Sequence, residues 1–364
     1  MRHERGRTIE VESLEQFDAL VADGATSMSG WHLQAVDLRD RAEVLARLSA
    51  SGSLLLGCAL HHDAEADLRA RGALVFPAVP DTPVNPYRSS LYTPFELYEG
   101  LDRSYPDTLD ARVYAWAQAS DDLDRTLVQA LHDHAVDDAL RDHAGGRRLV
   151  GMMGGHALAR GSEGYVEAAR LAHSLTGAGL TVSTGGGPGA MEAANLGAYL
   201  GGYDPSVINE AVEGLARAPG FTPSIEEWAR AAFEVLERWP EGRSSLGIPT
   251  WHYGHEPPNP FASHIAKYFK NAIREDVLLH VCSDGIVFLP GAGGTVQEIF
   301  QDACENYYAD PATVAPMVLV GVEYWTRTLP ASPLLETLAR DRAMASVVHL
   351  VDDLSDVPPL LGVG

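Results

Sequence analysis

At 364 residues the chain is long enough for two domains or one large one, and its 46% hydrophobic content is that of an ordinary globular protein. A net charge of −23 argues against broad binding to nucleic acid or an acidic membrane surface, so any anion site is a local exception. No apolar run approaches the ~20 residues of a membrane helix, and Met1-Arg-His-Glu-Arg-Gly-Arg7 leads into no apolar leader stretch. Cys58, Cys282 and Cys304 show neither metal nor disulfide spacing and read as reduced core or near-core thiols. All this suits a cytoplasmic protein.

In chain order, residues 1–146 are expected to form a smaller α+β accessory domain. Short strands at Ala35–Leu38 and Ser53–Gly57 flank a helix at Arg41–Ala50, and a Pro-rich loop, Phe76–Pro86, follows. Helices at Asp107–Ala119 and Leu123–His143 close the segment. Asp121, Asp122, Asp124, Asp137 and Asp138 read as a solvated helix face. The doublet Gly145-Gly146 marks the boundary.

Residues 147–364 alternate strand and helix signals, which predicts an α/β domain with a Rossmann-like, doubly wound parallel sheet. Strands are expected at Arg148–Met153, Leu180–Ser183, Ser245–Ile248, Gly285–Leu289, Met317–Val320 and Val347–Val351. Helices are expected at Gly164–Thr176, Ala190–Leu200, Ala262–His280, Thr295–Tyr307 and Pro333–Arg342. Residues 203–240 read as a helical insertion, with an amphipathic stretch at Ile225–Arg238 between Gly/Pro punctuation. Thr250–Pro260 is a loop rich in proline and aromatic residues.

The stretch with most chemical content is Gly285-Ile-Val-Phe-Leu-Pro-Gly-Ala-Gly-Gly-Thr-Val-Gln-Glu298. A strand ends in Pro290-Gly291, glycines crowd the turn, and Thr295 opens a helix whose apolar face is Val296, Ile299, Phe300, Ala303 and Cys304. Such a helix start presents backbone N–H groups and the positive end of the helix dipole, a ready anion site. Gly291, Gly293, Gly294 and Thr295 are its candidate ligands. Glu298 lies one turn in, opposite the apolar stripe, where a carboxylate suggests chemistry rather than mere binding.

A second glycine turn, Gly185-Gly-Gly-Pro-Gly-Ala-Met-Glu192, also ends a strand and opens a helix, and Gly154-Gly155 follows the first strand. Either turn alone is weak, and neither has dinucleotide-binding spacing. Together they suggest loops converging on one crevice at the carboxyl ends of adjacent strands, with Gly154, Gly155, Gly185, Gly186, Gly187 and Glu192 as candidate substrate contacts. Lys267 and Lys270 are the chain's only lysines. On the expected helix Ala262–His280 they share a face with Arg274, opposite Phe261, Ile265, Phe269 and Ile273. A cationic stripe in so acidic a chain suits phosphate. His252, His255-Glu256 and His61-His62-Asp63 lack the helical spacing of a zinc site. Trp251 and Tyr253 suit base stacking and packing equally well.

Pro290-Gly-Ala-Gly-Gly-Thr-Val-Gln-Glu298 resembles the P-G-G-x-G-T-x-x-E motif of the Lonely Guy family of nucleoside 5′-monophosphate phosphoribohydrolases. Gly185-Gly-Gly-Pro-Gly-Ala-Met-Glu192 is similar to that family's other glycine motif. Arg274 stands close to the place of its catalytic arginine, and His255-Glu-Pro-Pro-Asn-Pro260 is similar to its substrate loop. The resemblance covers residues 147–352 and extends to the long bacterial nucleotide 5′-monophosphate nucleosidases, which also carry an N-terminal domain. Ala292 in place of glycine, Glu275 where plant-type members carry lysine, and the insertion 203–240 point away from a cytokinin-specific substrate.

The resemblance implies hydrolysis of the N-glycosidic bond of a nucleoside 5′-monophosphate to free base and ribose 5-phosphate. Glu298 and Arg274 would then be catalytic, with Lys270 among the substrate contacts. As a carboxylate Glu298 could bind ribose hydroxyls, stabilise an oxocarbenium-like sugar or orient the attacking water, the first two roles combined being favoured, while Arg274 could anchor the phosphate or hydrogen-bond the leaving base. Neither metal nor cofactor is required. The resemblance also implies a homo-oligomer, a dimer or larger. The alternative is a non-catalytic nucleotide- or cofactor-binding carrier or sensor of the same fold, which would not need the pair Arg274 and Glu298.

Overall fold

The computed structural model describes residues 9–79, 81–120, 122–252 and 254–363; Asp121, Tyr253 and the first eight residues lie outside the described set. By internal contacts the chain divides into two compact units, 1–90 with 121–139 and 91–120 with 140–364. Residues 91–120, which the sequence groups with the N-terminal domain, therefore pack with the C-terminal sheet.

In the first unit short apolar strands alternate with short helices. They are β1 (Ile9–Val11), α1 (Leu14–Ala22), β2 (Trp31–Gln34), α2 (Ala42–Arg47), β3 (Leu54–Leu56), α3 (His62–Ala70) and β4 (Leu74–Phe76). Helix α1 begins at Ser13, whose hydroxyl accepts from Gln16 N at 3.2 Å. Its Phe17 is fully buried and meets Trp31 edge-on, ring centroids 6.1 Å apart. All four strands pair parallel in the order β1-β2-β3-β4. The expected α+β unit is thus itself α/β. The strand read at Ala35–Leu38 lies just before that position, because Ala35 takes a positive φ of 53° and ends the extended run.

The second unit starts with α4 (Pro94–Leu97) and α5 (Leu109–Ala119). Helix α6 (Leu123–Ala144) is divided between the two units. There follow β5 (Leu149–Met153), α7 (Glu163–Gly177), β6 (Thr181–Thr184) and α8 (Ala190–Tyr199). The insertion holds α9 (Val207–Leu215) and α10 (Ile225–Arg238). Then come β7 (Leu246–Gly247), β8 (His264–Ile265), α11 (Asn271–His280), β9 (Ile286–Phe288), α12 (Gly293–Tyr308), β10 (Met317–Val320), α13 (Ser332–Ala339) and β11 (Val348–Val351). The seven strands pair parallel in the order β11-β10-β9-β5-β6-β7-β8. From β5 the chain builds outward to β8, then returns to β9 on the other side of β5. The α/β, doubly wound expectation is met, and its switch point lies between β5 and β9, where such folds bind ligands beyond the strands' carboxyl ends. No helix among the described residues is long and apolar enough to cross a membrane.

One expected element is corrected. Residues 262–270 are not helical. His264 N donates to Ser245 O at 3.1 Å, Ala266 N to Gly247 O at 2.9 Å and Tyr268 N to Pro249 O at 3.0 Å, a parallel ladder on β7. Ile265 exchanges bonds with Tyr92 on the other edge, at 2.8 and 2.9 Å. The helix begins only at Asn271, so Lys267, Lys270 and Arg274 do not form a helical stripe.

Candidate functional site

Strand β5 ends in Gly154-Gly155 at the switch point, and these residues join the two glycine turns. Gly155 N donates to Pro290 O at 3.1 Å, while Gly155 O accepts from Ala190 N at 3.1 Å. The β9–α12 turn and the start of α8 therefore flank one backbone segment. Gly154 permits this approach: a Cβ there would stand 2.8 Å from Ala190 Cβ and 3.0 Å from Leu289 Cβ.

Helix α12 starts with no side-chain cap, and Val296 N donating to Ala292 O at 3.0 Å is its first turn. Helix geometry leaves the amides of Gly293, Gly294 and Thr295 without intrahelical acceptors. Ala292, Gly293 and Gly294 are exposed, and nothing lies within 4 Å of a Cβ built on Gly293 or Gly294. That open space beside three amides and a helix dipole fits a phosphate. Tyr324 braces the turn by donating its hydroxyl to Gly291 O at 2.6 Å. Gly291 has no room for a side chain, since a Cβ would come within 2.1 Å of Thr295 Oγ1. Ala292 has φ −109°, so glycine is not required there by the backbone.

The second turn is held by a buried amide network. Thr184 Oγ1 donates to Asn195 Oδ1 at 2.7 Å and accepts from Gly186 N at 2.9 Å. Asn259 donates from N to Gly186 O at 2.8 Å, and from Nδ2 to Gly187 O and Asn195 Oδ1 at 3.0 Å each. Beside this turn His156 Nδ1 lies 3.2 Å from Glu256 Oε1.

Arg274 acts on Glu298 only through its charge, and its hydrogen bonds go elsewhere. The guanidinium donates Nε to Ile248 O at 2.7 Å and Nη1 to Glu275 Oε1 at 2.6 Å, with Nη2 3.5 Å from Gly185 O. It thus ties α11 to the end of β7 and to the second glycine turn. Glu298 is 8% exposed. Burial pushes its carboxyl up to about 8, with Arg274 opposing and Glu275 adding to the rise. Burial thus favours the protonated form of this carboxyl over the carboxylate. One turn further on, burial and Glu305 push Asp302 to about 8 as well.

Other expected contacts stand differently. Glu192 is buried at 1% exposure and paired with Arg160, whose Nε lies 3.0 Å from Oε1 and whose Nη2 also contacts that oxygen. Arg160 continues through Nη1 to Trp228 O at 2.9 Å. Glu192 therefore fastens the insertion to α8 instead of facing the crevice. Lys270 is exposed just before α11. Lys267 is fully buried against Asp110 at 2.5 Å. Trp251 packs on Phe269, centroids 4.8 Å apart, and donates Nε1 to Asp110 Oδ1 at 2.8 Å, so it is a packing residue and not a base platform. Cys58 and Cys282 are buried, whereas Cys304 is exposed. Among the described residues no cluster of three or more His, Cys, Asp or Glu could hold a metal ion. Sequence reasoning missed Asp110 and Arg160; the scarcity of lysine was the one signal leading toward the first.

No protein-family model and no curated protein matches the chain. Among solved structures it is similar to the molybdenum cofactor carrier protein of Chlamydomonas reinhardtii, at 18% identity and a TM-score of 0.35 over 59% of this chain and 98% of that one. It is also similar to the molybdenum cofactor binding protein of Rippkaea orientalis, at 15% identity and a TM-score of 0.37 over 59% of this chain and 96% of that one.

Proposed function

We propose that the crevice between β5 and β9 binds a nucleoside 5′-monophosphate and hydrolyses its N-glycosidic bond. The observation that carries this reading is the buried carboxyl of Glu298, one helical turn from an open, uncapped helix start, where burial pushes its pKa up. The amides of Gly293, Gly294 and Thr295 hold the phosphate, the part of the substrate that does not react, so binding energy supports orientation at C1′. The bond from C1′ to the base nitrogen breaks with its electron pair leaving on the base. Glu298, with an acidity near the working pH, gives its proton to that departing group. The carboxylate so formed stabilises the positive sugar. Water adds its oxygen to C1′, and the water proton returns to Glu298. The products are free base and ribose 5-phosphate.

The second reading is a carrier that binds a nucleotide or a phosphate-bearing cofactor without turnover, a role like that named for the two similar proteins. Arg274 favours it, because its guanidinium is hydrogen-bonded to the protein's own carbonyls and Glu275. Incubation with AMP, GMP, CMP and UMP, followed by separation of base from nucleotide, decides between them. The hydrolase releases base from at least one, and Glu298→Gln lowers that rate by about 10²–10⁴-fold, the usual worth of a positioned acid. Nucleotide bound with no base released is the carrier's result and ends the hydrolase reading.

A further inference from the structure

We propose that Asp110, on α5, is a positioning residue that anchors residues 254–259 against the Gly185–Gly187 side of the crevice. The inference rests on the nucleotide-binding reading of that crevice. Asp110 is fully buried, and its carboxylate gathers four partners. Oδ1 accepts from Lys267 Nζ at 2.5 Å and Trp251 Nε1 at 2.8 Å. Oδ2 accepts from Tyr105 Oη at 3.0 Å and lies 3.1 Å from His255 Nε2, which also meets the Tyr105 hydroxyl. Burial works against the charged carboxylate, but Lys267 and His255 outweigh it and hold the acid well below the usual carboxylate range. Asp110 therefore stays ionised beside its lysine.

Every one of these partners other than Tyr105 lies on the strand-edge segment or the loop before it, and neighbouring bonds act on the same loop. Tyr98 Oη donates to Pro258 O at 2.7 Å, and Gln118 Nε2 to Trp251 O at 3.4 Å. Tyr114 meets the His255 ring edge-on, centroids 4.4 Å apart. The residues immediately after His255 reach the crevice. A Cβ on Gly187 would lie 3.4 Å from Glu256 Oε2, Glu256 pairs with His156, and Asn259 grips the carbonyls of Gly186 and Gly187. The loop is thus pinned at one end by Asp110 and at the other touches the second glycine turn. A buried charge pair is a costly way to hold a loop, since replacing such pairs by apolar residues is often neutral or stabilising. Its use here is explained by the geometry it imposes on His255 and Trp251.

The test uses the full chain, with AMP as the probe. Asp110→Asn by itself leaves Lys267 buried without its carboxylate and threatens folding. The double variant Asp110→Asn, Lys267→Met removes the charge pair while keeping the volume. Amide exchange in 254–259 of the double variant is expected to speed up by about 10-fold or more, with α12 unchanged. The KM or Kd for AMP should rise about 10-fold while any kcat stays within about 3-fold, a split that general loosening would not produce. In the unaltered protein, saturating AMP should slow exchange across 254–259. Unchanged exchange in the double variant, or faster exchange with unaltered AMP affinity, overturns the inference, as does a loop indifferent to AMP in a protein that binds it. A wild-type protein that binds no AMP overturns the nucleotide reading instead, and the variant's exchange then decides the anchor independently.

Discussion

Replacing Glu298 by glutamine should change how stability depends on pH. The carboxyl is pushed from the ordinary 4.5 to about 8 by burial. Between those values the folded chain holds a proton that the unfolded chain has released, so stability falls as pH rises. The contribution is complete below pH 4.5 and is lost as pH climbs through about 8. At about 1.4 kcal/mol per pH unit the span amounts to about 5 kcal/mol. A glutamine side chain cannot ionise, so the variant should lack this slope, match the wild type near pH 5 and exceed it by several kcal/mol at pH 9. Asp302 has the same sign and cancels in the comparison. Urea unfolding followed by tryptophan fluorescence suits the measurement, because Trp228, Trp251 and Trp325 are all buried in the second unit. Stability profiles that run parallel from pH 5 to 9 would refute the buried, neutral Glu298.

Gly291→Ala would drive a Cβ to 2.1 Å from Thr295 Oγ1. The variant should lose about 1–3 kcal/mol of stability to overpacking and weaken AMP binding, both read by thermal shift with and without AMP. Glu192→Ala strands Arg160 at 3% exposure; unfolding should show a loss of about 3–5 kcal/mol, with AMP affinity at low temperature little altered. Weakened affinity in a folded Glu192→Ala protein would return Glu192 to the crevice.

The central sheet was legible because its strands are apolar runs cut off by glycine or proline. Ile286–Phe288 before Pro290 and Met317–Val320 before Gly321 are examples. The glycine turns were legible for the same reason, and the fold brings them together at Gly155. Strand β8 was not. Phe261, Ile265 and Phe269 fall at helical spacing, and only the ladder to Ser245, Gly247 and Pro249 makes the segment extended. The burial of Lys267 against Asp110, 157 residues away, and of Glu192 against Arg160 is tertiary information that local pattern does not carry. The upward push on the Glu298 carboxyl likewise comes from burial created by the fold, with Arg274 opposing and Glu275 adding from another helix.

A crystal structure of the Glu298→Gln protein with AMP is the decisive measurement. It should show the 5′-phosphate within hydrogen-bond distance of the amides of Gly293, Gly294 and Thr295, with C1′ facing residue 298. A phosphate bound anywhere else, or a sugar turned away from residue 298, would contradict that placement.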